Sequence, residues 1–526
     1  MGYIEYMTKI HNPAIWADVP DIDIIRVGRA FYMVSTSMHS MPGCPIMRSY
    51  DLKHWEIVSY VFDRLEEAEG NNLENGKNIY GKGSWAASLR YVNGYFYCLF
   101  NSNDAGHAYI FRTGNAEESN WERFDLKSYM HDPGMLVDNG KTYVLYGNGD
   151  IRIVEMTDDM LDIKPETDRE FFSSPKEGMG LRAEGCHAYR IGDTYYAFYI
   201  DWPRTGHCRR RVVVYRWKSF DGPVENKVIL DDDMGYHNAG VAQGGIVDLP
   251  DGKSWAAFMF QDHGAVGRIP FILPLKFEDG WPVIGESGKV PEDFGIDLED
   301  ALKSIPDPEK RAAAAENYML SGSDDFDHDQ NILDLKWQWN HNPDNSKWSF
   351  LKRKGRLRLE NGHITDSILR ARNTLTQRTY GPKCSGETHI DLGGMKDGDS
   401  AGIAAIQGQF GLIGARCFTD NDGRLKKKLV MCVNANDGQG SEKVVCEREL
   451  PGDSLYVKVE FDFEDNTDKA VFLTSHDGKN WEIFGETLQL RYTLDHFMGC
   501  RIGLYSYCTK ETGGYADFEY FRFGRG

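Results

Sequence analysis

No stretch of the 526-residue sequence approaches the roughly 20 consecutive apolar residues that a membrane-spanning helix needs. The opening MGYIEYMTKIHNP lacks the basic and apolar regions of a secretory signal. A cytoplasmic location is therefore expected, or export with a leader removed before residue 1. Positive charge is scarce: 60 Lys and Arg stand against 80 Asp and Glu, a net charge of −20. That balance excludes nucleic acid and anionic membrane as partners, because phosphate binding needs a basic patch. The two dense basic runs, Arg209–Arg211 and Lys426–Lys428, read as solvated hairpin or strand-end charges. The 10 cysteines are scattered with no CxxC, a pattern of free thiols in a reducing compartment rather than a disulfide framework. A GxSxG elbow, HExxH and nicotinamide fingerprints are all missing, and IYGKGSW is a glycine turn without P-loop spacing. No organic cofactor is implied.

What the chain does have is aromatic side chains, 13% of the total, and 55 glycines. This mixture suits short strands joined by tight turns, and surfaces that stack on sugar rings. One phrase recurs through the first 280 or so residues. A polar or aromatic residue opens a short apolar strand, the chain turns at Gly or Asp, and an aromatic strand returns. The openings are Asp21 (DIDIIRVGRAFYMVSTS), Trp85 (WAASLRYVNGYFYCLFN), Asp132 (DPGMLVDNGKTYVLYG), Glu184 (EGCHAYRIGDTYYAFYI) and Gln243 (QGGIVDLPDGKSWAAFMFQ). All-strand repeats spaced by roughly 50 residues mark propeller blades, and five phrases predict five blades.

The pattern lapses near residue 296, where DLEDALKS and PEKRAAAAEN read as short helices before the polar SGSDDFD. Strands then resume without the blade phrase, as in DSLYVKVEFDFE and YADFEYFRF, with the spacing of a two-sheet sandwich. The expected fold is all-β: a five-bladed β-propeller over 1–295, a linker with short helices over 296–325, and a jelly-roll β-sandwich over 326–526. A chain of this length is expected to hold two such domains.

In a propeller the innermost strand of each blade starts at the central channel, so the five opening residues share one axial pocket. Three of them are carboxylates. Each alone would be read as a turn cap, but three at one place in the repeat indicate a site. Breaking a glycosidic bond needs one protonated carboxyl for the leaving oxygen and one carboxylate to activate water or attack carbon. A raised acid pKa can come from apolar surroundings or a neighbouring carboxylate. Glu184, beside Gly185, suits the acid; Asp21, behind Pro20, suits the base; Asp132, ahead of Pro133, suits a modulator. Asp18 and Asp23 are neighbours of the same type, and Asp23 lies on the same side of an ideal strand as Asp21.

Residues 10–285 closely resemble glycoside hydrolase family 43. The resemblance rests on the Asn-Pro, the Pro-Asp before the first strand, PGCPI and SYDLKHW, Trp85-Ala86, Asp132-Pro133, Glu184–His187, the Gly-Arg at Arg268, and DGWP. The later part, with WQWNHNPD, ARNTLTQRT, MKDGDSAGI and HFMGCRIGLYSY, is similar to the appended module of the family's β-xylosidase and α-L-arabinofuranosidase branch. The resemblance implies an inverting, exo-acting hydrolase with Asp21 as general base, Glu184 as general acid and Asp132 tuning the acid. Inversion requires an acid–base separation of about 6.5–9.5 Å. It further implies that Arg268 holds a sugar hydroxyl or orients Asp132, that Trp85 walls the first subsite, and that Met38 faces the pocket. Phe497 reads as sandwich core on sequence alone, yet an analogous loop in relatives approaches the active-site mouth.

Many relatives carry Gly-His-Gly at the fifth blade, where this chain has Ala242-Gln243-Gly244. A calcium ion (Ca2+) held mostly by waters is therefore expected to take His263 as its protein ligand, with a structural or sugar-binding His263 as the alternative. A second calcium near Asp325, Asp327 or Asp517 is a weaker expectation. The expected substrate is a xylo-oligosaccharide or arabinoxylan, with β-xylosidase preferred over α-L-arabinofuranosidase, and the chain is compatible with a homo-oligomer. Two rivals are a retaining fructosidase-type enzyme, whose Trp-Met-Asn-Asp-Pro-Asn-Gly opening is missing here, and a non-catalytic glycan-binding protein.

Overall fold

The structure is a computed structural model that describes residues 8–298, 303, 305, 307–315, 318–494 and 496–526. Five antiparallel four-stranded sheets form the propeller, each from four strands that follow one another in sequence, except that blade I skips the short strand Ser40–Met41. Blade I runs Asp23–Val27, Ala30–Val34, Gly43–Ser49 and Glu56–Phe62; blade II begins at Ser84–Val92, blade III at Gly134–Asp138, blade IV at Met179–Ile191 and blade V at Ala242–Asp248. Blade faces are apolar because alternate residues of each strand point into the layer between blades. Between blades I and II, for example, Phe62, Phe100 and Phe111 are buried with ring centroids 5.6–5.7 Å apart. Burial of each such ring contributes about 1.5–3 kcal/mol.

Because no blade mixes strands from the two ends of the domain, something else must close the ring. Thr8–His11 pairs antiparallel with Asp293–Ile296. Just beyond it the Asn12 side chain donates to the Ile272 and Pro291 carbonyls and accepts from the Ile272 N–H. The Asn-Pro of the sequence pattern is thus the clasp of blade V. Of the two expected linker helices, one is present as Pro308–Ala315, while DLEDALKS falls largely outside the described residues.

The C-terminal part is a sandwich of two antiparallel eight-stranded sheets. One of them continues into the propeller: Gln338–Asn340 pairs with Ser40–Met41, with Trp339 opposite Met41. The interface is further tied by Asp18, whose carboxylate accepts from the N–H of Arg268 in blade V and of Gly499 in the sandwich. A side chain on Gly267 would meet Asp18 Oδ1 at 2.1 Å, and its φ of +103° also favours glycine. Here lie three buried histidines, His39, His341 and His496, packed around Tyr80 with ring centroids 4.0–4.7 Å from it.

Candidate active site

The blade-opening residues sit where the strands depart from regular pairing. Register breaks flank Trp85, Glu184 and Gln243, and Asp21, Asp132 and Gln243 have φ of 51°, 46° and 56°. Such bulges and left-handed corners swing a side chain off the strand's alternation. Here they turn the carboxylates toward the axis.

Asp21 is 4% exposed. Its Oδ1 accepts from Arg268 Nη1 at 2.7 Å and from Gln243 Nε2 at 3.0 Å. Gly185 lets Gln243 come this close, since a Cβ there would lie 2.8 Å from Gln243 Cγ. Burial raises the Asp21 pKa, against the pull of Arg268 and Arg210. Arg268 is itself buried and also pairs with Asp262, which Arg210 holds from the other side. The charges therefore alternate, and Asp21 is oriented without losing the freedom of Oδ2.

Glu184 accepts through Oε2 from Asn148 Nδ2 at 2.5 Å and His131 Nε2 at 3.1 Å. Asp132 accepts from the Gly185 N–H at 3.1 Å, and its Oδ2 lies 3.6 Å from His131 Nε2. Burial, with the Glu184 and Asp21 charges adding to it, pushes Asp132 up to about 6. Burial alone would depress His131, but Asp132 and Glu184 outweigh it and hold the imidazolium up to about 9. Three carboxylates and one cation thus share the rim, an arrangement suited to moving a proton through Glu184.

Above them Trp85 and Phe497 stack, with centroids 5.5 Å apart and planes 3° from parallel. Phe497 also lies against Arg268, whose guanidinium carbon is 4.5 Å from the ring centroid. The sandwich therefore supplies part of the rim: Phe497 is at the mouth, as the resemblance implied, and not in the sandwich core.

Several expectations need correction. Arg268 orients Asp21 and not Asp132. Met38 is fully buried, and its backbone pairs with Ser84 beside Trp85. Asp23 is not a spare base, because Arg90, His187 and the Leu89 N–H all engage its carboxylate. His263 stacks on Tyr236 at 3.6 Å, packs edge-on to Trp16 and faces the Gln261 amide oxygen. Burial, then His237, depresses it to about 4. Among the described residues no carboxylate pairs with it, so this set does not fit calcium, which takes six to eight oxygen ligands. Asp325, Asp327 and Asp517 are each paired with Arg or Lys instead of converging. Among the described residues the one group with metal-ligand spacing is His131, Asp132 and Glu184, and its imidazolium opposes a cation.

His131, Asn148 and Asp262 were missed in the sequence. His131 carried a signal, since it precedes Asp132 in HDPG; Asn148 and Asp262 carried none, because they arrive from turns and partner strands.

The family model of "Glycosyl hydrolases family 43" matches residues 10–282, and that of "Beta xylosidase C-terminal Concanavalin A-like domain" matches 323–524. A beta-xylosidase of Formosa agariphila is 28% identical over 97% of this chain and 90% of its own. A non-reducing end alpha-L-arabinofuranosidase of Bacteroides ovatus is 30% identical over 66% of this chain and 64% of its own. A solved structure described as a bifunctional GH43-CE of Bacteroides eggerthii superposes with a TM-score of 0.88 at 40% identity. That match covers 99% of this chain and 64% of the other, so the chain spans less than two thirds of that protein. From the blade-head carboxylates to the sandwich that reaches over them, this chain belongs to the glycosyl hydrolases of family 43.

Proposed function

We propose that the protein is an exo-acting, inverting glycoside hydrolase that releases xylose from non-reducing ends of β-1,4-xylo-oligosaccharides, with α-L-arabinofuranosidase side activity. One observation carries this reading: the two candidate reacting carboxylates are held by one oxygen each. Arg268 and Gln243 occupy Asp21 Oδ1, which leaves Oδ2 to take a proton from water. His131 and Asn148 occupy Glu184 Oε2, which leaves Oε1 to protonate the glycosidic oxygen. The water oxygen bonds to the anomeric carbon as the bond to the leaving oxygen breaks. The proton lost to Asp21 matches the one given by Glu184, so the sum is hydrolysis with inversion. Asp132, near Glu184 and raised by burial, tunes the acid. The stacked rings of Trp85 and Phe497 offer an apolar wall for the sugar.

Proton NMR of xylobiose hydrolysis from the first seconds tests this, beside an arabinofuranosyl-substituted oligosaccharide. Release of α-xylose ahead of mutarotation is expected. If β-xylose appears first, the single displacement is wrong and a nucleophile must be sought. A mainly α-L-arabinofuranosidase activity is the second reading, favoured by the name of the Bacteroides ovatus relative. It requires that arabinose alone be released.

A further inference from the structure

Between propeller and sandwich, beside Trp85, lies an open cleft of about 1000 Å³. It is too large for one sugar and has room for several. Trp85 joins it to the reacting carboxylates: its ring lies 5.9 Å from that of His131, which hydrogen-bonds Glu184. In the proposed reaction Glu184 protonates the leaving oxygen, so the cleft opens on the leaving-group side.

Its lining has the chemistry of a sugar site. Carboxamides come from both domains, among them Asn103, Gln409, Asn434 and Gln439. Tyr129 is 48% exposed there and donates its hydroxyl to Asn103, leaving the ring face open for stacking. The charge of the lining is out of character for the chain. In a protein with 80 acidic and 60 basic residues, none of the described lining residues is a carboxylate, while Lys82 and Arg370 are both present. Arg370 is paired with Asp366. Among the described residues Lys82 has no such partner, so the cleft carries an uncompensated cation.

We infer that this cleft binds the leaving part of the substrate, and that its preferred occupant is a xylan-type chain bearing a carboxylate substituent, a uronic-acid-decorated oligosaccharide. This rests on the hydrolase reading above. Lys82 supplies the charge for the carboxylate, and Tyr129 with the carboxamides supplies the sugar contacts. Such an exposed pairing is worth at most about tenfold, and salt weakens it.

The test compares kcat/KM for neutral xylotetraose and for the same chain carrying one internal glucuronic acid, in wild type, Lys82→Gln and Tyr129→Ala. An aryl xyloside serves as the short substrate. Lys82→Gln should lower the acidic-to-neutral ratio by about threefold to tenfold at low salt, with less effect at high salt. Tyr129→Ala should lower the ratio of tetraose to aryl xyloside. An acidic-to-neutral ratio unmoved by Lys82→Gln overturns the carboxylate assignment. A chain-length ratio unmoved by Tyr129→Ala overturns the cleft. Wild type inactive on every xyloside would instead refute the hydrolase reading. In that case calorimetric titration of the acidic tetraose into wild type and Lys82→Gln decides whether the cleft binds it, equal affinities or no heat being fatal.

Discussion

Acidification should loosen this protein through two histidines that take no part in the proposed reaction. His341 and His496 pack against Tyr80 where the sandwich meets the propeller, and burial, with His496 adding to it at His341, depresses each to about 3. His341 Nε2 accepts the Ile79 N–H at 3.0 Å, so a proton there would displace a backbone hydrogen bond. In the unfolded chain both rings titrate near about 6.5. Between the two values the unfolded chain binds protons that the folded one refuses. The stabilisation is therefore complete above the unfolded value and is lost as pH falls toward the folded one. From pH 7 to pH 5 the loss is about 2 kcal/mol per ring, or about 4 kcal/mol together. That is a large share of a typical total of about 5–15 kcal/mol. Urea unfolding followed by Trp fluorescence at both pH values, in wild type and in His341→Gln/His496→Gln, measures it. Carboxylates such as Asp18, Asp21 and Asp132 titrate in both proteins and cancel in the comparison. The double variant should start less stable at pH 7 but lose about 4 kcal/mol less on going to pH 5. Equal losses in the two proteins, within about 1 kcal/mol, would refute the argument.

Glu184→Gln should lower kcat on xylobiose by about 10²–10⁴-fold and act less severely on a nitrophenyl xyloside, whose leaving group needs little protonation; equal losses on both would remove Glu184 from the acid role. Arg268→Met strips Asp21 and Asp262 of a shared cation, so thermal unfolding should register a cost of about 3–5 kcal/mol. The same change lets the already raised Asp21 pKa climb further, so the acid limb of kcat/KM should move to higher pH; an unmoved limb would mean that Asp21 is not the base. His131→Asn should abolish an alkaline inflection in kcat/KM near pH 9, where the imidazolium loses its proton. A persistent inflection would assign it to another group.

How much was legible depended on the range of the interaction. The blade heads were readable because each hairpin is local: a turn at Gly or Asp and a period of two specify a strand pair from about fifteen residues. Repetition then placed Asp21, Asp132 and Glu184 in one pocket without any tertiary knowledge. The full burial of Met38 was not legible, because alternation locates a residue relative to its own strand and not to the Ser84 backbone it pairs with. Arg268 was found, but its partner was not, since the resemblance pointed to a sugar hydroxyl or Asp132, and Asp21 lies 247 positions away. His263 looked like a channel ligand until Tyr236, from the loop before blade V, covered its face.

By itself the sequence determined the strand periods, the five repeats, the second domain and the identity of the three carboxylates. These follow from local turn chemistry and from patterning that survives without long-range contacts. Only the tertiary structure decided which oxygen of each carboxylate is tied down, that His131 holds Glu184, and that the sandwich lends Phe497 to the propeller's mouth. It also decided the cleft beside Trp85 and the neutral histidines around Tyr80. Their common cause is burial at a junction between distant segments: desolvation and charge neighbours set a group's chemistry, and neither is encoded within a turn or a strand.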